Sequence, residues 1–215
     1  MIKVIENLLP VSLQERIDAT LNTDMFPWFF MDSVRTQRDY SDEYLRDIPP
    51  WDDVKVVDSF GLIHLVCISD QVNSPHFELM RSILYFVEKA ENFEVDSILR
   101  IRVRRTMKTP GADDTTYNTP HVDLMHETPF YTFVYYAEES DGDTIFFDRV
   151  FERGSNASLQ GSPAILQTVQ YKKGNGVLFD GLRFHAGNSP KNYVKRTVIN
   201  FDFTVKPRSH QIGAL

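Results

Sequence analysis

The sequence predicts a mainly β protein with a helical layer: a double-stranded β-helix, or jelly roll, with N-terminal helices packed on one sheet. Three observations predict it. From residue 97 onward the chain reads as eight short apolar runs separated by turn residues, the texture of an all-β domain, and eight is the strand number of the double-sheet jelly roll. Ahead of them, Phe77, Met80, Ile83, Leu84 and Val87 form a stripe at helical spacing. In the last run Arg196, Val198 and Asn200 alternate with Ile199, Phe201 and Phe203, so one face of that strand is strongly apolar and must pack on the helices.

The elements follow in chain order. Ser12 to Leu21 has apolar residues at helical spacing. Arg38 to Asp53, with Pro49-Pro50-Trp51 inside it, reads as a long charged loop. Gly61 to Ile68 is a strand, and Cys67 is expected to be buried in it. Ser74-Pro75 opens the second helix with a serine cap and a proline in the first turn. The eight later strands are expected at Ser97 to Arg105, Tyr117 to Asp123, Phe130 to Ala137, Asp143 to Asp148, Ala164 to Tyr171, Gly176 to Asp180, Arg183 to Gly187 and Val194 to Val205. Two connections, Met107 to Thr116 and Arg149 to Pro163, exceed what a hairpin needs and are candidate lids. We expect a single domain over residues 1–215, with 1–95 as support and 96–206 as the jelly-roll core.

Bulk properties narrow the function. A chain of 215 residues can bury its own core without staples. The net charge of −7 and pI near 5.3 argue against nucleic acid as a partner. One cysteine excludes an internal disulfide and fits a reducing compartment. Met1 to Pro10 lacks a secretory pattern and no apolar run approaches a membrane span, so a cytoplasmic location is expected. Asn156-Ala157-Ser158 matches a glycosylation sequon and reads as a polar loop.

The residues that carry chemistry are His121-Val122-Asp123, then His185 62 residues after the aspartate, and Arg196 11 residues further on. Residues two apart on a strand share a face, so His121 and Asp123 are expected to point together into the barrel with Val122 facing out. His185 lies on a late strand that a jelly roll can bring beside them. Two neutral imidazoles and one carboxylate hold a ferrous ion and leave three positions open. Arg196 is expected to face inward, where a guanidinium needs an anion. A dicarboxylic acid bound at the metal would provide one.

Other histidines are read more plainly. His64, His76 and His210 are expected to be ordinary core or surface groups. His126-Glu127 begins like the zinc-protease His-Glu-x-x-His helix, but position 130 is phenylalanine and Pro129 opposes a helix. Arg100, Arg102 and Arg104 share one strand face and are expected to be solvated or paired with surface carboxylates.

The run from Thr119 to Phe203 resembles the catalytic core of the 2-oxoglutarate- and iron-dependent dioxygenases, and within them the prolyl-4-hydroxylase-like branch. The matching stretches are Pro120 to Asp123, Phe133 to Tyr136, Asp141 to Phe146, Gly174 to Phe179, His185 to Gly187 and Arg196 to Asn200. The resemblance implies that His121, Asp123 and His185 hold Fe(II). It also implies that Arg196, Tyr136, Thr144 and Asn200 serve the far carboxylate of 2-oxoglutarate. The implied reaction converts 2-oxoglutarate and O2 to succinate and carbon dioxide while hydroxylating a peptide or small molecule, with ascorbate as a candidate addition. Two positions depart from the branch: it usually carries lysine at Arg196, and its Gly-Gly-Glu-Thr turn here reads Asp141 to Thr144. The alternatives are a cupin-like metal-binding module without oxygenase activity and a nucleic-acid demethylase of the same superfamily. The acidic balance disfavours the demethylase. The oligomeric state is left open.

Overall fold

The computed structural model describes residues 1–31, 59–113, 115–152 and 163–207. The Pro49-Pro50-Trp51 loop, the Asn156 sequon, His210 and most of the expected loop from 149 to 163 lie outside them. The elements run β1 (Ile2–Ile5), α1 (Val11–Leu21), β2 (Phe29–Met31), β3 (Gly61–Ile68), β4 (Gln71–Val72), α2 (Phe77–Glu91) and β5 (Val95–Met107). They continue as β6 (Tyr131–Tyr136), β7 (Thr144–Val150), β8 (Ile165–Val169), β9 (Gly176–Asp180), β10 (Arg183–Gly187) and β11 (Lys195–Val205). No helix among the described residues is long and apolar enough to cross a membrane.

Two antiparallel sheets face each other. The major sheet has the order β1-β9-β6-β11-β5-β3-β2, with β4 paired to β3, and the minor sheet has the order β10-β7-β8. Antiparallel sheets with one apolar and one mixed face suit this layering. Ile101, Val103, Phe133, Ile199, Phe201 and Phe203 leave the major sheet on its outer face and pack against Met80, Ile83, Leu84 and Val87 of α2 and Ile17 and Leu21 of α1. Between the sheets lies a second apolar cluster that includes Tyr136, Phe146, Tyr171, Phe179 and Val198. A third covers the outside of the minor sheet. Truncating a buried aromatic such as Phe201 costs about 3–5 kcal/mol, so the helical layer is what fixes the major sheet's outer face.

Seven of the eight strands expected after residue 97 form. Tyr117 to Asp123 does not: it is an irregular segment in which Asn118 N–H donates to the Gly187 carbonyl and His121 makes one isolated bridge to His185. Pro120 supplies the reason, since it carries no N–H for a ladder. Val122 faces away from the interior and is covered there by Tyr117, Ile145, Phe147 and Phe184. The expected serine cap of α2 is also displaced. His76 is the N-cap residue, and Ser74 Oγ instead accepts the His76 N–H and bonds His64 Nε2. At the other end Asn92 closes α2 in the left-handed conformation, with φ of 53°. Strands β1, β2 and β4 are too short for their sequences to announce them.

Candidate metal centre

The site is built on β10, the edge strand of the minor sheet. The turn Asp180-Gly181 feeds β10: Leu182 N–H donates to Asp180 Oδ1, and Gly181 sits so close to Phe130 that a Cβ there would meet the ring at 2.1 Å. In β10, Phe184 and Ala186 point outward into the third cluster, so His185 points inward, opposite Phe146 of β7. His121 is then placed by its backbone, which exchanges hydrogen bonds of 2.9 and 3.0 Å with that of His185.

The two rings are set in the same tautomer. Nδ1 of His121 lies 2.8 Å from the Thr119 carbonyl, and Nδ1 of His185 lies 3.1 Å from the Arg183 carbonyl. A carbonyl only accepts, so each Nδ1 carries a proton and Nε2 is the nitrogen left to meet a metal. Both Nε2 atoms look towards Asp123: His185 Nε2 is 3.4 Å from Oδ2 and His121 Nε2 is 3.8 Å from Oδ1. One ligand atom from each of the three residues lies within 4.8 Å of the others. Burial, the His185 ring and the Arg104 charge push His121 down to about pH 3, so it is neutral. Burial would raise Asp123, but the His185 ring, Arg102 and Arg100 outweigh it and hold the carboxylate well below its usual range. A donor set of two imidazoles and one carboxylate fits a divalent first-row ion.

The carboxylate is held from the major sheet. Asn200 Nδ2 donates to Oδ2 at 2.9 Å, and Arg102 donates to Oδ1 at 2.7 Å. Asn200, expected beside the carboxylate clamp, instead bonds Asp123. Arg100, Arg102 and Arg104 are buried rather than solvated, and Arg100 and Arg102 pair with buried acids, Asp202 and Asp123, rather than surface ones. The alternation of arginines on a central strand was the available signal. An inward face carrying three of them requires acids opposite, and the β11 register sets Asn200 against Arg102 and Asp202 against Arg100.

Arg196 faces the same interior, four residues from Asn200 on β11, or about 13 Å along the strand. Its guanidinium is buried, donating from Nε to the Gly142 carbonyl at 2.6 Å and from Nη2 to Thr144 Oγ1 at 2.9 Å. Tyr136 O–H donates to the same Thr144 oxygen at 2.9 Å. A hydroxyl that accepts twice has its own proton left to give to a third group. Burial pushes Tyr136 up to about 12 and lowers Arg196 from its ordinary value. Gly142 and Gly187 make room: a Cβ at Gly142 would stand 2.6 Å from Arg196 Cδ, and one at Gly187 3.1 Å from Nη1. Arg196, Thr144 and Tyr136 therefore form one polar cluster, apart from the Asp123 cluster on the same wall.

No protein-family profile and no curated protein matches the sequence. Solved structures do. An oxidoreductase of the 2OG-Fe(II) oxygenase family from Burkholderia pseudomallei is similar at 12% identity and a TM-score of 0.58, over 94% of this chain and 84% of that one. The fold is that of the 2-oxoglutarate- and iron-dependent oxygenases. Two more structures share it. The non-haem α-ketoglutarate-dependent epimerase SnoN of nogalamycin biosynthesis aligns at 9% identity and a TM-score of 0.58, covering 94% of this chain and 77% of its own. A prolyl hydroxylase from Trichoplax adhaerens, in complex with a hypoxia-inducible-factor peptide fragment, aligns at 13% and 0.53, covering 94% and 82%. The oxygenase fold thus accounts for the two facing sheets, with the His-Asp-His cluster held between them.

Proposed function

We propose that this chain is a non-haem iron oxygenase that couples oxidative decarboxylation of 2-oxoglutarate to succinate with hydroxylation of a peptide or small-molecule substrate. One observation carries the reading. Arg196 is a buried guanidinium whose hydrogen bonds go to a neutral carbonyl and a neutral hydroxyl; the Tyr171 ring lies 5.5 Å from its Cζ and the Asp143 charge acts on it from further off, but among the described residues no carboxylate forms an ion pair with it. A buried charge without a counter-ion costs several kcal/mol, and a dicarboxylate reaching from the metal supplies that counter-ion. A cupin-like metal-binding module has no use for such a group.

In this reading His121, Asp123 and His185 hold Fe(II). Bound iron would activate dioxygen and 2-oxoglutarate would supply two of the electrons that reduce it, one oxygen atom ending in succinate and the other in the hydroxylated product. The chain's residues do the positioning. Arg196 takes the far carboxylate of 2-oxoglutarate in a charge-assisted contact, and Thr144 turns its free proton to the same group. Tyr136 fixes Thr144, and the aromatic rings of Phe146 and Phe179, packed at 4.8 Å, wall the interior beside His185. The peptide complex of the Trichoplax structure supports a peptide substrate, and the SnoN structure supports a small molecule.

Anaerobic titration with ferrous iron and then 2-oxoglutarate tests the proposal. A visible charge-transfer band on adding 2-oxoglutarate is expected, followed by slow succinate formation in air, with or without ascorbate. Absence of both the band and the succinate would overturn it.

A further inference from the structure

We infer that Arg102, together with Arg100 held by Asp202, is a brace that fixes the Asp123 carboxylate for metal ligation through a single oxygen, Oδ2. This rests on the reading of His121, Asp123 and His185 as a metal site. The need for a brace comes from the backbone: the segment carrying Asp123 is not a strand, so no ladder orients the side chain, and the bridge to β10 stops at His121.

The major sheet replaces the missing ladder. Arg100 donates to the Asp123 main-chain carbonyl at 2.6 Å and fixes the backbone. Arg102 occupies Oδ1 at 2.7 Å, with Arg100 a further 3.5 Å from that oxygen. Among the described residues Oδ2 accepts the Asn200 amide at 2.9 Å and has His185 Nε2 3.4 Å away, so no arginine occupies it and its second lone pair is the one turned towards the His185 ring. Arg100 is itself anchored: its Nε donates to Asp202 Oδ2 at 2.9 Å, and Thr132 O–H donates to Asp202 Oδ1 at 2.7 Å. Every member of this chain is buried, where the contacts are strong and lateral movement is costly. Asp202 also keeps Arg100 from swinging onto the carboxylate and competing with a cation. Arg102, Arg100 and Asp202 are positioning residues that act through Asp123.

Metal binding without substrate or oxygen tests the brace, with Mn(II) affinity and the Co(II) visible spectrum as readouts. Arg102→Lys keeps the charge and loses the planar fork. Asp202→Asn keeps the shape and releases Arg100. Each is expected to weaken Mn(II) binding about 10- to 100-fold, the usual effect of removing an outer partner of a metal ligand, and to alter the Co(II) ligand-field bands. Cooperative melting of the metal-free variants checks folding. If Asp202→Asn fails to fold, Arg102→Lys decides alone. Wild-type protein that binds neither ion overturns the metal-site reading itself. Wild-type binding with variants inside twofold of it, and unchanged Co(II) bands, overturns the brace and leaves the metal site standing.

Discussion

His121 and His185 are joined through their main chains, not only across a metal site: each donates its N–H to the other's carbonyl, at 2.9 and 3.0 Å. The ligand pair therefore keeps its geometry when a side chain is removed. His185→Ala is expected to abolish Fe(II) and Mn(II) binding while circular dichroism stays that of the wild type. Retained metal binding would take His185 out of the ligand set.

The Arg196 cluster is separable from the group of His121, Asp123 and His185. Arg196→Ala is expected to raise the 2-oxoglutarate dissociation constant roughly 10- to 150-fold, the equivalent of about 1.5–3 kcal/mol for hydrogen bonds to a charged group. Calorimetry on the Mn(II)-loaded protein measures this. Mn(II) affinity should be unaltered, since Arg196 touches Gly142 and Thr144 and none of the three ligands.

The two glycines around Arg196 should behave differently. At Gly187 a methyl group would meet the far end of the arginine side chain, with Nη1 at 3.1 Å and Cζ at 3.2 Å. Gly187→Ala is expected to cost several-fold in 2-oxoglutarate affinity with little change in melting temperature. At Gly142 the methyl group would also strike the Asn188 carbonyl at 2.6 Å, and backbone cannot yield as a side chain can. Gly142→Ala is expected to lower the melting temperature clearly.

His64 sets one pH dependence of stability. Its Nδ1–H donates to the Pro27 carbonyl at 3.0 Å, and its Nε2 lies 2.8 Å from Ser74 Oγ, from which it accepts. Burial lowers its pKa from 6.5, with a smaller contribution from His76. Because the folded value is depressed, the unfolded chain takes up the proton first. The stability due to the neutral ring is thus present above pH 6.5 and is lost as the pH falls below it. Melting temperatures between pH 7.5 and 5 should fall more steeply for the wild type than for His64→Asn. Equal slopes would remove His64 from the account.

Much of this was legible in the residues. The alternation in β11 gave both of its faces, and β3, β9 and β10 form at the boundaries their apolar runs suggest, because turn residues bracket them. The His-x-Asp segment was not legible as what it is. Strand alternation brings His121 and Asp123 together on paper, whereas Pro120 prevents the strand and three-dimensional contacts with Asn200, Arg102 and Arg100 do the placing. Arg100 and Arg102 of β5 pair with carboxylates as expected, but with buried ones, for a related reason. Whether a charged residue meets solvent or a buried acid depends on the partner strand, and register across 102 positions, Arg100 to Asp202, is not a local property of sequence.

The two polar clusters share one further consequence. Each joins the sheets: His185 of the minor sheet meets Asp123, which is tied to Asn200 and Arg102 of the major sheet, and Thr144 of the minor sheet is tied to Arg196 of the major. Occupying the interior should therefore act as a rivet through both layers. Amide exchange in β7 and β10 should slow on loading, and the melting temperature should climb stepwise, first with metal and again with the dicarboxylate.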